Sequence, residues 1–243
     1  MKFFPISDVH CEHHSDLGAS AISKIKPQDG CLVIAGDFFQ ISADKAGAMM
    51  RRLQELSAKF PVIVYVFGNH EYYDTPLGLV RDYRDRINRD FAGKIFVLEN
   101  SSVNLGDKTV HGTTMWFSRS PNADKHKNIL NDFRKIERYS DWVFEANSDA
   151  REFLSKSVKT GDVVVTHHLP TYRCVGFKDL GDPINCFYVS NCEDIINKNK
   201  PSIWFHGHKH YSVYTKLNKT VIMSNPRGYP RELNKKFSNV FAE

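Results

Sequence analysis

The residues of this chain that can do chemistry fall in five short clusters, each directly after an apolar run. Asp8-Val9-His10 follows residues 2–7, Gly36-Asp37 follows 31–35, and Gly68-Asn69-His70-Glu71 follows 62–67. His167-His168 follows 162–166, and His206-Gly207-His208-Lys209-His210 follows 202–205. Carboxylates, an amide carbonyl and imidazoles make a mixed oxygen and nitrogen donor set, which suits divalent manganese, iron or zinc better than calcium. Two pairs are spaced i, i+2, Asp8 with His10 and His208 with His210, and would project the same way from an extended chain. With three single donors besides, the set exceeds what one ion needs. A carboxylate bridging two ions about 3.5 to 4 Å apart answers that excess, and such a pair can activate a water and stabilise charge on phosphate oxygens.

Something must bring the clusters together. In open α/β sheets a ligand site lies beyond the carboxyl ends of the strands, so clusters that end five strands would converge there. The five runs are short and rich in β-branched and aromatic residues, as buried strands are. Helical spacing lies between them. Ala46, Met49, Met50, Leu53 and Leu56 form one face, ended by Pro61. Leu77, Val80, Arg84, Ile87 and Phe91 form another, opened by a Thr75 cap and Pro76. Ala146, Ala150, Phe153, Leu154 and Val158 give a third helix, and Ser190 to Glu193 a capping box for a fourth that Pro201 closes. Runs at 94–98, 103–105, 109–112, 212–217 and 220–224 follow one another without helices, which implies a second, partly antiparallel sheet. The expectation is one α/β domain over 1–243, two sheets flanked by helices. Residues 113–145 lack clear periodicity and read as an insertion or lid.

In order and roughly in spacing, Asp8-x-His10, Gly36-Asp37, Gly68-Asn69-His70-Glu71, Thr166-His167-His168 and Gly207-His208-x-His210 resemble the calcineurin-like metallophosphoesterases, over residues 3 to about 228. The resemblance implies a four-layer α/β/β/α sandwich with two mixed β-sheets. It implies that Asp8, His10, Asp37 and His210 hold one metal and Asp37, Asn69, His167 and His208 the other, with Asp37 as the bridge. It also implies that His70 contacts the phosphate and protonates the leaving oxygen, while Asn69 helps stabilise the equatorial oxygens. Three local segments, Gly112 to Trp116, Asn131-Asp132-Phe133-Arg134 and Asn225-Pro226-Arg227-Gly228-Tyr229, resemble those of a bacterial and phage branch. Phe38, Phe39 and Gln40 after Asp37, and Lys209 between the last two histidines, depart from the commoner pattern and alter the rim.

The activity so implied is dinuclear, metal-dependent hydrolysis of phosphate esters by a hydroxide bridging the ions, on a phosphorylated small molecule, nucleotide or phosphoprotein. Phosphomonoesterase, protein phosphatase and phosphodiesterase share that platform. Arg227 and Arg134 are the candidates for gripping a phosphate oxygen through a guanidinium fork. His168 and His206 read as packing histidines, Cys11 as a small packing residue, and Glu71 as either a ligand orienter or a turn cap.

Composition sets the alternatives. Hydrophobic residues at 41% and charged residues at 25% exclude a disordered or fibrous chain. Five cysteines, odd in number and without CxxC spacing, argue for reduced thiols and against a disulfide framework. No apolar run approaches the roughly 20 residues of a membrane span, and Ser7 and Asp8 cut short any secretory signal, so a cytoplasmic protein is expected. The net charge of +5 and Lys235-Lys236 suggest a nuclease or other nucleic-acid-processing enzyme as a rival. Interleaved aromatics and a basic stripe are lacking, and nucleic acid is not favoured. A non-catalytic scaffold of the same fold is the other rival, and the complete set of donor positions counts against it.

Overall fold

The computed structural model describes residues 1–237. Its first half runs β1 (Phe3–Ile6), α1 (Ala19–Ser23), β2 (Cys31–Ala35), α2 (Ala48–Ser57), β3 (Val62–Val66), α3 (Leu77–Asp90) and β4 (Ile95–Val97). These strands form one sheet in the order β1-β2-β3-β4. Then come β5 (Ser101–Leu105), β6 (Lys108–Thr113), α4 (Pro121–His126), α5 (Asp132–Lys135), α6 (Tyr139–Ser157) and β7 (Val163–Thr166). The chain continues through α7 (Glu193–Asn199), β8 (Ile203–Phe205), β9 (Val213–Leu217) and β10 (Thr220–Ser224). The second sheet has the order β5-β6-β7-β8-β10-β9.

Period-two alternation along the strands makes the layers. Leu32 and Ile34 of β2 pack with Met49 and Leu53 of α2 and Val80 and Ile87 of α3, on the outer face of the first sheet. Val33 of β2 and Val64 of β3 face the other way, against Val110, Val163 and Val165 of the second sheet. Val164 faces outward again, under Leu154 of α6 and Ile195 of α7. Helices, sheet, sheet and helices are the four layers the resemblance implies.

Three details differ from the expectation. The first sheet is parallel throughout, not mixed, because α2 and α3 cross over between successive strands and return the chain in the same direction. Antiparallel pairing is confined to two hairpins at the edges of the second sheet, β5-β6 and β9-β10, whose turns place Gly106 and Asn218 at positive φ. The run at 94–98 pairs with β3 in the first sheet, and the runs at 162–166 and 202–205 belong to the second. Helix α6 begins well before Ala146, since Tyr139, Val143 and Asn147 extend the buried face of Ala150 and Leu154.

Neither expected cap forms. Thr75 Oγ1 donates to the Tyr73 carbonyl, and the first amide of α3 takes the Glu137 carboxylate instead. Ser190 Oγ accepts from Asn147, Glu193 holds Thr171 and Arg173, and Cys192 is the α7 N-cap. Tertiary partners outbid local ones where both are within reach. The five cysteines are free and buried. Among the described residues no helix is long and apolar enough to cross a membrane. Lys235 and Lys236 are exposed.

Candidate metal centre

The carboxyl ends of β1, β2, β3, β7 and β8 meet where the two sheets adjoin. The backbone there is not extended. Asp8, His10, Asp37 and His208 all have positive φ, between 48° and 74°. For a residue with a Cβ this conformation costs on the order of 1 kcal/mol, and such strain is characteristic of functional sites. Backbone bonds from Asp8 to Gly36 and from His10 to Asp37, both 3.0 Å, hold the turns in register. The paired ligands therefore converge through left-handed turns and not through strand alternation. Glycine is required at Gly36, which has φ of +85° and where any Cβ would collide with the His167 ring.

The donor atoms form two groups. In one, His10 Nε2 lies 3.1 Å from His210 Nε2 and 3.8 Å from Asp37 Oδ2, and His210 Nε2 lies 3.7 Å from Asp8 Oδ1. In the other, His167 Nε2 lies 2.9 Å from Asn69 Oδ1, 3.0 Å from His208 Nδ1 and 3.4 Å from Asp37 Oδ1. Donors about 2.0 to 2.2 Å from one ion at angles near 90 to 110° stand roughly 2.8 to 3.6 Å apart. The second group fits that spacing and the first is slightly wider. His167 Nδ1 is engaged by the Ala35 carbonyl at 2.9 Å and His10 Nδ1 faces Glu12 at 3.4 Å, so each ring has its other nitrogen free for a cation. All seven ligands expected from the sequence are thus together, and the mixed nitrogen and oxygen set fits divalent transition ions.

The charges in this buried site act strongly on one another. Burial pushes the Asp8 carboxyl up. Burial also opposes charge on Asp37, but His167 and His70 outweigh it and hold that carboxyl well below its usual range. His167 would be lowered by burial, yet Asp37 raises it to about 9. A cation bound here would do what that proton does, so binding should release it.

A further layer of residues fixes these donors. Glu71 is fully buried and accepts from the amides of Asp37 (3.1 Å), Phe38 (2.7 Å), Phe39 (3.3 Å) and Gly68 (2.7 Å), and from the Tyr65 hydroxyl (2.5 Å). It orients the Asp37 loop and does not cap a turn. Glu71→Ala orphans several buried donors at about 1 to 3 kcal/mol each. A loss of at least about 3 kcal/mol is expected, read as a melting temperature lower by roughly 6 to 12 °C. A shift within about 2 °C would contradict this role.

Asp132 Oδ1 accepts from Asn69 Nδ2 at 3.0 Å and from the Tyr73 hydroxyl at 2.5 Å. That turns the Asn69 carbonyl oxygen towards His167. Asp132→Ala is expected to weaken metal binding about 10- to 100-fold in the group that contains Asn69. Calorimetric metal titration measures it, and unchanged affinity would assign the orientation to Tyr73 alone.

His70 sits beside both groups. Its Nδ1 is 3.3 Å from Glu12 Oε1, its Nε2 is 3.2 Å from the Tyr229 hydroxyl, and its ring stacks on Tyr73 with centroids 4.3 Å apart. Burial would lower it, but Asp37 and Glu12 raise it to about 8. Glu12, opposed by burial, is brought down to about 2 by His10 and His70. A cavity of about 470 Å³ opens in front, with Asp37, Asn69, His70, His208 and His210 along its floor.

The two arginines are not brought to this cavity. Arg227 is buried behind the site, its guanidinium 5.8 Å from the Phe237 ring, and its amide and carbonyl tie the loop to Ser7 and Asn234. Arg134 is exposed and bonded to Asn131 at 2.8 Å. In both segments a neighbour two residues away reaches the site instead: Tyr229 stacks on His10 at 4.3 Å, and Asp132 holds Asn69. The flagged segments were a signal for them, whereas nothing but its place between His10 and His13 marked Glu12. His168 binds the Thr114 carbonyl at 3.2 Å, and His206 binds the Gly207 carbonyl at 3.0 Å. Cys11 is buried, its thiol pushed well up by burial, and belongs to the core outside the first sheet. Within 113–145, Thr113, Thr114, Met115, Trp116 and Phe117 are buried, while Ile129, Leu130, Asn131 and Asp132 line the cavity.

Known proteins bear on the same arrangement. The chain is 26% identical to "Uncharacterized protein L509" of Acanthamoeba polyphaga mimivirus, over 94% of this chain and 91% of the other. Its fold is similar to that of phosphopantetheinyl hydrolase (PptH) from Mycobacterium tuberculosis, with a TM-score of 0.74, 18% identity, and coverage of 95% of this chain and 90% of that one. Residues 1–212, which hold every ligand-bearing turn described above, match the family described as calcineurin-like phosphoesterase. Two sheets with buried donors at the ends of their strands and a matching pattern over most of its length place this chain in the calcineurin-like phosphoesterase family, as a metal-dependent hydrolase of phosphoric esters.

Proposed function

We propose that this enzyme hydrolyses small-molecule phosphate monoesters or diesters with two divalent ions, manganese, iron or zinc, held by the two donor groups. Asp8, His10, Asp37 and His210 would hold one ion and Asp37, Asn69, His167 and His208 the other. The observation that carries this reading is that Asp37 directs one carboxylate oxygen to each group. When bound, the ions would supply Lewis acidity, acidifying a water and neutralising phosphate oxygens. The chain's own residues do the rest. Asn69, locked by Asp132, offers a fixed amide at the floor of the cavity, and His70 faces the cavity with a proton to give to the leaving oxygen. His70 stands outside the two groups that share Asp37, in a cluster with His10, Glu12 and His13, and its Nδ1 is taken by Glu12, which supports the role of acid over that of ligand. Of the expected lid, Ile129 to Asp132 is the portion that would lie against a substrate. The name of the mycobacterial neighbour, phosphopantetheinyl hydrolase, points to the same broad chemistry, an organic arm attached to phosphate.

The test is metal analysis coupled to turnover of p-nitrophenyl phosphate and bis(p-nitrophenyl) phosphate. Activity that disappears with chelator and returns with manganese, iron or zinc, at two ions per chain, is the expected result. Full turnover by metal-stripped protein would sink the proposal.

A further inference from the structure

The walls of the cavity, as distinct from its floor, have a chemistry of their own. One side carries Ile129, Leu130, Ile184, Phe187 and Tyr188. Ile129 lines this side while 63% exposed, an aliphatic side chain that only an apolar group laid against it would take out of water. Among the described residues Lys209 is the one lysine or arginine lining the cavity. It is already engaged, 3.0 Å from Asp179 and 4.4 Å above the Tyr188 ring. Asp179 cancels the charge of Lys209, and Asp132 is buried and bonded to Asn69 and Tyr73, so the walls above the floor offer no unpaired lysine or arginine among the described residues. At about 470 Å³ the cavity is within the range of small-molecule sites, roughly 300 to 1,000 Å³.

Resting on the function proposed above, we infer that the substrate is an ester of a single phosphoryl group whose arm is apolar, an alkyl or arylalkyl phosphate, and not a polyphosphate or a nucleic acid strand. The floor, with its ions bound, would neutralise one phosphoryl group. Further phosphates would meet no unpaired lysine or arginine, and anionic charge left in a half-buried site without a counter-charge is unfavourable. An apolar arm would instead cover Ile129 and stack beside Tyr188.

The test compares 2-phenylethyl phosphate with ethyl phosphate, as monoesters and as methyl diesters, because the leaving alkoxides are alike and only the arm differs. With the metal-loaded enzyme, kcat/KM is expected to be at least about tenfold higher for the phenylethyl ester, the equivalent of burying its ring. ATP and oligothymidylate should fall below ethyl phosphate. Ile129→Asp, at an exposed position where folding is not at issue, should lower the phenylethyl-to-ethyl ratio several-fold with metal content unchanged. Equal rates for the two arms, a ratio unmoved by Ile129→Asp, or preference for ATP or oligothymidylate would overturn the inference and leave phosphoesterase activity standing. No turnover of any ester by protein carrying two ions per chain would overturn the underlying function, and this inference with it.

Discussion

Replacing Asp37 by Asn is expected to strip metal from the protein and to lower turnover by on the order of a thousandfold or more. The residue is 2% exposed and its oxygens serve different groups, Oδ2 towards His10 at 3.8 Å and Oδ1 towards His167 at 3.4 Å. Oδ1 also accepts the His70 amide at 2.9 Å. Asn has the same shape, so the loop held by Glu71 should keep its course. It has one oxygen, however, and an NH₂ in place of the other. Whichever way the amide turns, one donor group meets hydrogens where it needs a lone pair, and the negative charge shared by two cations is gone. A loss of several kcal/mol is expected from a bridging ligand, and each 1.36 kcal/mol is tenfold in rate. Mass-spectrometric metal analysis after dialysis should find fewer than two ions per chain. Wild-type metal content together with wild-type rate would overturn the bridging role.

The clustering of the candidate donors was legible because each lies just after an apolar run, where a polar residue has no packing reason to be. Asp8, Asp37, Asn69, His167 and His208 needed only the end of a strand to be recognised. Their backbone conformation was not legible, since i, i+2 spacing describes extended chain and the positive φ of Asp8 and His10 depends on bonds to Gly36 and Asp37, distant in sequence. Sheet membership was hidden for a similar reason. Val163 to Thr166 has the same apolar character as β2, and only pairing with β6 and β8 assigns it to the second sheet. The outer layer of the site was least visible. Glu12, Tyr73, Asp132 and Tyr229 act through lateral contacts between loops, and tyrosines in such loops read as ordinary core. In two of these segments arginine is the residue that sequence alone points to, because a guanidinium matches phosphate. Were two cations to sit on the floor as proposed, what the site would need besides is acceptors and rings that orient imidazoles and an amide, and Asp132 and Tyr229 supply them.

His70→Ala should leave metal content near that of the wild type while its effect on rate depends on the leaving group. The imidazole belongs to neither donor group, and the bond that His70 makes to Asp37 comes from its backbone amide, which alanine retains. The ring is poised as a proton donor. Glu12 engages Nδ1, Tyr229 lies at Nε2, Tyr73 stacks beneath, and the Asp37 and Glu12 carboxylates raise its pKa. General acid catalysis is worth about 10² to 10⁴ in rate where the departing oxygen is strongly basic. An alkyl phosphate should therefore lose turnover over that range. A p-nitrophenyl ester, whose phenolate departs without a proton, should lose less than about tenfold. Tyr229→Phe removes the hydroxyl beside Nε2 but leaves the acid itself, so it should reproduce only a fraction of the alkyl-ester loss. Equal losses for alkyl and nitrophenyl esters in His70→Ala would mean that the ring positions the phosphate and gives up no proton, and the Glu12 carboxylate would then serve to orient a binding group and not an acid.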